Sequence, residues 1–141
     1  MPDSYCMRAA VEKAAERGCN RWDWTEAAPD AILRMEVDVV LAADVVYTGS
    51  SMAALAEALS DLLVRKRCPA FLMQQVRGRT LEESALGGFL CMCEHHGLTA
   101  ERMQLQSAVF EQMPEISAGV RIELYKIEAG LAVGGAAGCS R

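Results

Sequence analysis

Residues 38–47 read DVVLAADVVY. Eight of these ten residues are apolar, and the two exceptions are Asp38 and Asp44. Asp38 stands where a buried strand would begin. Asp44 breaks the apolar run three residues before Tyr47, so a carboxylate and a phenol follow one another at the strand's end. An ionised carboxylate is costly to bury unpaired, so an acid here needs a partner from the protein or from a ligand. In open α/β sheets, ligands bind beyond the carboxyl ends of the strands, and both side chains would face that crevice. Periodicity alone leaves two roles open for Asp44: a ligand-facing acid, or a cap on the turn that follows.

Other groups of reactive type are less well placed. CMCEHHG at 91–97 offers Cys91, Cys93, His95 and His96, and close-set Cys and His can bind zinc. On a helix, 91 and 95 share one face while 93 and 96 share another, so four ligands do not converge. No metal site is expected; buried cysteines and surface histidines are. Arg77 and Arg79 follow a strand's end and read as solubilising loop residues. Of Gln74 and Gln75, one is expected to face the crevice and the other to pair within the sheet.

The elements that must carry Asp44 are legible from spacing. Residues 4–18 read as a short helix stopped by Gly18. CNRWDW (19–24) is a short strand or a loop, and TEAAPDAILRME is a surface connection with one helical turn. Residues 38–46 form a strand; its unbroken β-branched run suits a parallel strand covered on both faces. Met52, Leu55, Leu59, Leu62 and Leu63 then make one apolar helical stripe. Arg65, Lys66 and Arg67 sit where cations suit the helix dipole. AFLMQQV (70–76) is the next strand. Thr80 and Glu83 have capping-box spacing for a helix that runs to Gly97, weakened by Gly87 and Gly88. Alternation at Met103, Leu105, Ser107 and Val109, and at Val120, Ile122 and Leu124, gives two strands, expected to be an antiparallel pair. The class is mixed α/β with a βαβ start.

The bulk properties narrow the function. With 141 residues and 52% hydrophobic content, one domain with a real core is expected. A net charge of −5 and a basic run of only three residues, RKR at 65–67, argue against nucleic acid, which needs several phosphate contacts. No stretch approaches the ~20 apolar residues of a membrane span, and the first eighteen residues do not read as a secretory signal. Six cysteines then read as free thiols, and a cytoplasmic or nuclear location is expected. The Gly/Ala-rich end, residues 129–141, is expected to be disordered beyond a domain at 1–128.

DVVLAADVVY, preceded by WDW and followed by an amphipathic helix, resembles the later half of the family 16 methyltransferase-like proteins. These are S-adenosylmethionine-dependent enzymes of the seven-β-strand class, mostly protein-lysine methyltransferases. The family's Asp-x-x-Tyr motif after strand four is matched by Asp44-Val45-Val46-Tyr47. Ala43 matches the small residue that precedes the acid and lies near the methyl donor. The family's upstream Leu-Asp-Trp is matched by Trp22-Asp23-Trp24, with Trp24 in place of the tryptophan beside the adenine and Trp22 in place of the leucine. The likeness covers roughly residues 19–128, with the later helices and strands in the family's order.

The resemblance implies a Rossmann-like methyltransferase sheet, incomplete, that ends in an antiparallel strand pair. It implies S-adenosylmethionine as cofactor and the lysine side chain of a protein as substrate. It gives Asp44 and Tyr47 the catalytic roles, and Trp24 and Ala43 the cofactor-binding ones. Residues 1–37 depart from the pattern, because they hold no strand followed by a G-x-G-type turn. In the family, strands one and two lie between strands three and four, so here the Asp44 strand would be an exposed edge. A truncated gene model is the leading expectation; a partner chain that covers the edge, or a degenerate protein, is the alternative.

Overall fold

The computed structural model describes residues 16–18, 20–47, 51–76, 80, 84–105 and 121–130. Outside the described residues lie most of the helix expected at 4–18, Arg77 and Arg79, the 106–110 part of the fifth expected element, and the tail from 131. The chain divides into two compact units, Met1–Glu36 and Val37–Arg141. In the first, Gly18 takes φ +78°, the left-handed geometry of a helix stop. A single turn, α1 (Asp30–Arg34), follows Pro29, as the sequence suggests.

The second unit is a mixed α/β layer. Its elements run β1 (Val40–Ala43), α2 (Ser51–Lys66), β2 (Ala70–Val76), α3 (Ala85–His95), β3 (Leu98–Met103) and β4 (Arg121–Ala129). The four strands form one open sheet in the order β1-β2-β4-β3. β1 and β2 are parallel, joined through α2. β4 lies antiparallel to both β2 and β3, so the chain's last described strand inserts between two earlier ones. The antiparallel pair was legible in the sequence; this insertion was not.

Register shows which face carries the core. Ala70, Leu72 and Gln74 of β2 stand opposite Ile127, Tyr125 and Glu123 of β4, and all six are buried. The helices pack on this face: Ala56 and Leu63 of α2, and Leu86, Phe89 and Cys93 of α3, join the same core. Tyr125 is therefore a packing residue, and burial pushes its phenol pKa up.

Four expectations change. β1 is four residues long and alternates in burial, rather than running over 38–46 covered on both faces. Leu41 is 77% exposed, because among the described residues of the second unit no element covers the second face of the sheet. On β4 the drier face is Glu123–Tyr125–Ile127, not that of Ile122 and Leu124, since only the first faces the helices. α3 starts at Ala85 rather than at the expected Thr80–Glu83 capping box, of which Glu83 lies outside the described residues; its N-cap is Ser84, whose side chain accepts from the Gly87 N–H. β3 begins directly after Gly97 (φ +77°), several residues before the expected 102.

Two stability tests follow from the packing. A methyl group at Gly88 would meet Met52 Cε at 3.6 Å, an ordinary contact. Gly88→Ala should therefore raise stability by about 0.5–1 kcal/mol through helix propensity, read as a higher urea midpoint at unchanged m-value. Burial pushes the Cys93 thiol up to about 12, against ~8.5 in an unfolded chain. That contribution is whole below the unfolded value and is lost as pH rises through the folded one. Unfolding free energy should fall between about pH 8.5 and 12, and Cys93→Ala should flatten that fall.

Candidate active site

β1 ends because Asp44 turns the chain. Its φ is +50°, a left-handed conformation uncommon for a residue with a side chain, though Asp is among the residues that tolerate it best. Its N–H still donates to Met73 O at 2.8 Å. The chain then leaves the ladder, while the Val46 side chain stays in the core. Val46 thus has a buried peptide and no strand to pair with.

Gln74 fills that vacancy. Its side-chain Oε1 accepts from Val46 N–H at 3.1 Å, and its Nε2 donates to Val46 O at 3.2 Å. The same Nε2 donates to Asp44 Oδ1 at 2.9 Å. Gln74 is only 5% exposed, and among the described residues no buried side-chain polar atom lacks a partner. The two glutamines therefore separate: Gln74 braces the loop at the crevice, while Gln75 lies on the opposite face, across from Ile122.

Asp44 itself is exposed, as is Tyr47 at 58%. Ala43, one residue earlier, is also exposed and pairs with Met73 of β2. The acid, the phenol and the small residue are thus consecutive features of one strand end. Trp24 belongs to the first unit. There Glu26 N–H donates to Asp23 O at 2.9 Å, which closes a turn with Trp24 inside it and its indole 37% exposed. Asp23 fixes the turn by accepting from the Thr25 hydroxyl at 2.7 Å and the Thr25 N–H at 3.0 Å. Those two bonds lower its pKa. Trp22 Nε1 donates to Glu26 O at 3.2 Å, so Trp22 braces the turn.

A third feature of this end of the sheet escaped sequence reasoning. Glu123 is 3% exposed and stands opposite Gln74 in register. Arg102 grips both of its oxygens through Nε and a terminal nitrogen, and Arg121 Nε adds a bond at 2.9 Å. A cavity of about 410 Å³ opens beside Arg102 and Glu123. Nothing in RIELYKIE marks Glu123 as buried; only the β4 insertion puts it there. The Cys/His cluster shows no convergence. Cys93 is in the core and Cys91 outside it, and no group of three or more potential metal ligands occurs among the described residues.

A family model described as lysine methyltransferase matches residues 6–89. That span is well over half of the chain. The chain belongs to this family. The match takes in Trp22–Trp24, β1, the Asp44–Tyr47 segment, α2, β2 and the first part of α3. The open α/β sheet is that of a partial Rossmann-like methyltransferase. No curated protein matches the chain. No described helix is long and apolar enough to cross a membrane.

The electrostatics of Glu123 can be tested apart from any activity. Removing Arg102 and Arg121 together, each to Ala, strands a buried carboxylate and should destabilise the fold by roughly 3 kcal/mol. Glu123→Met leaves two solvated arginines and should stay within about 1 kcal/mol of the parent in urea unfolding.

Proposed function

We propose that the chain serves S-adenosylmethionine-dependent methylation of a lysine side chain on a protein, with Asp44 as the acid that receives the lysine. One observation carries this reading: Asp44 is held by Gln74 on one side and open to solvent on the other, at the carboxyl end of β1.

The residues suit the cofactor by chemistry. Ala43 is small and exposed beside Asp44; Trp24, in the first unit, is the residue that the family resemblance gives to the adenine. When bound, S-adenosylmethionine supplies a methyl group already activated on a sulfonium. The work left to the chain is alignment, which can supply most of the acceleration in such a transfer. A lysine arrives as an ammonium, with a free pKa near ~10.4. Asp44 attracts and orients that ammonium. The lysine must shed a proton before attack, and water is a sufficient acceptor. Tyr47 borders the path of the lysine stem or of the cofactor.

The open edge favours a second reading. Leu41, Val39 and Met73 are all exposed, and β1 is the edge of the sheet that the described strands form. An apolar edge of this kind suits a partner chain that adds a strand, and the chain would then be a non-catalytic interaction protein. The two readings part on Asp44. Asp44→Asn keeps size and shape but removes the charge. It should lower kcat/KM for lysine methylation about 10–100-fold, as expected from the ~1.5–3 kcal/mol that a hydrogen bond to a charged group contributes. Transfer of tritium from labelled cofactor to protein measures this. Unchanged transfer would remove Asp44 from its role.

A further inference from the structure

We infer that Gln74 is a positioning residue for lysine transfer: its amide, oriented by the Val46 peptide, presents the Asp44 carboxylate to the substrate. The inference rests on the role given to Asp44 above and adds the device that aims it.

The Val46 peptide sets the requirement. Its N–H and its C=O both point at one side chain. That side chain must therefore offer an acceptor and a donor from the same planar group. An amide does this; a carboxylate has no proton to donate, and an ammonium has no lone pair. The Val46 N–H fixes the amide with Oε1 towards it, which leaves Nε2 on the side of Val46 O and Asp44. The second proton of Nε2 then meets Asp44 Oδ1 at 2.9 Å. One oxygen of Asp44 is committed and the other is left for a cation.

The backbone adds a second constraint. Asp44 lies at φ +50°, where few side-chain-bearing residues rest without support. The Met73 carbonyl holds its N–H, and Gln74, the next residue of the same strand, holds its carboxylate. Adjacent residues of β2 thus fix both ends of Asp44. Among the described residues, the charged groups around Gln74 are Asp44 from β1 and, opposite on β4, Glu123 with Arg102 and Arg121. α3 contributes Leu86 and Phe89 to the core.

The test uses the protein purified from its own cells with three genomic substitutions: Gln74→Glu, Asp44→Asn, and the two combined. Methyl transfer to a lysine-peptide library is measured from pH 6.5 to 9, beside thermal unfolding. Gln74→Glu keeps an acceptor for the Val46 N–H but sets two carboxyls against each other. At pH 9 its transfer should fall at least tenfold below the unsubstituted protein. The neighbouring acid raises the pKa of the new carboxyl, so on acidification it regains a proton to donate. The ratio of variant to parent rate should climb as pH falls, although both rates drop as lysine protonates. The double variant reverses donor and acceptor. Its melting temperature should return towards the parent's while transfer stays lost, because the acid is gone; the pH-dependent ratio of Gln74→Glu is the readout that a purely structural glutamine would not move.

Parent-like transfer by Gln74→Glu at pH 9, with Asp44→Asn impaired, would overturn the positioning role alone. Recovery of transfer in the double variant would also overturn it, because geometry without the acid would then suffice. Full transfer by Asp44→Asn, or none by the parent protein, would overturn the lysine reading and this inference with it.

Discussion

The Val46 peptide is the constraint on which the site depends. Its side chain is fixed in the core, yet β1 has already ended, so no strand satisfies its backbone. Buried backbone groups are almost always paired, and here one glutamine side chain from β2 does the pairing. The turn at Asp44, the burial of Gln74 and the outward aim of the acid are consequences of that substitution. A side chain that replaces a missing strand also carries its spare proton to the carboxylate.

The same economy of cover shapes the rest of the unit. Both described helices of the second unit share a core with one face of the sheet, where Leu63, Leu72, Phe89 and Ile127 are buried. The other face shows Leu41 and Met73 to solvent. Antiparallel sheets commonly leave one face wet, but parallel pairs such as β1 and β2 are normally covered on both. The wet face therefore carries apolar residues where polar ones would be the rule. Asp44 lies at the end of β1, held by Gln74 on one side and open to solvent on the other. The buried Glu123, gripped by two arginines at the same end of the sheet, extends this polar region across to β4.

Much of this was legible in residues 38–76, where local signals agree. β2 has the expected limits and α2 spans the expected apolar stripe, while β1 is shorter than its apolar run. Asp44 was conspicuous because it broke an apolar run, and the structure ties it to the protein on one side and exposes it on the other. Periodicity had treated those as alternatives. The signal for Gln74 was also present, as a polar pair inside AFLMQQV, but only register with β4 tells which glutamine is buried. The end of the chain was read less well. Alternation in residues 120–124 marked a strand correctly and chose the wrong face, because strand insertion is a long-range event that local pattern does not encode. Glu123 was invisible for the same reason. α3 is capped by Ser84, whose side chain accepts from the Gly87 N–H, a favoured N-cap residue; Glu83, the second half of the expected capping box, lies outside the described residues.

A crystal structure of the protein with a lysine peptide and a cofactor analogue lacking the transferable methyl tests the central claim most directly. The lysine Nζ should lie within about 3 Å of the free Asp44 oxygen, a charge-assisted hydrogen bond, while Gln74 Nε2 still holds the other. A lysine seated away from Asp44, or a Gln74 amide turned from the carboxylate, would contradict it.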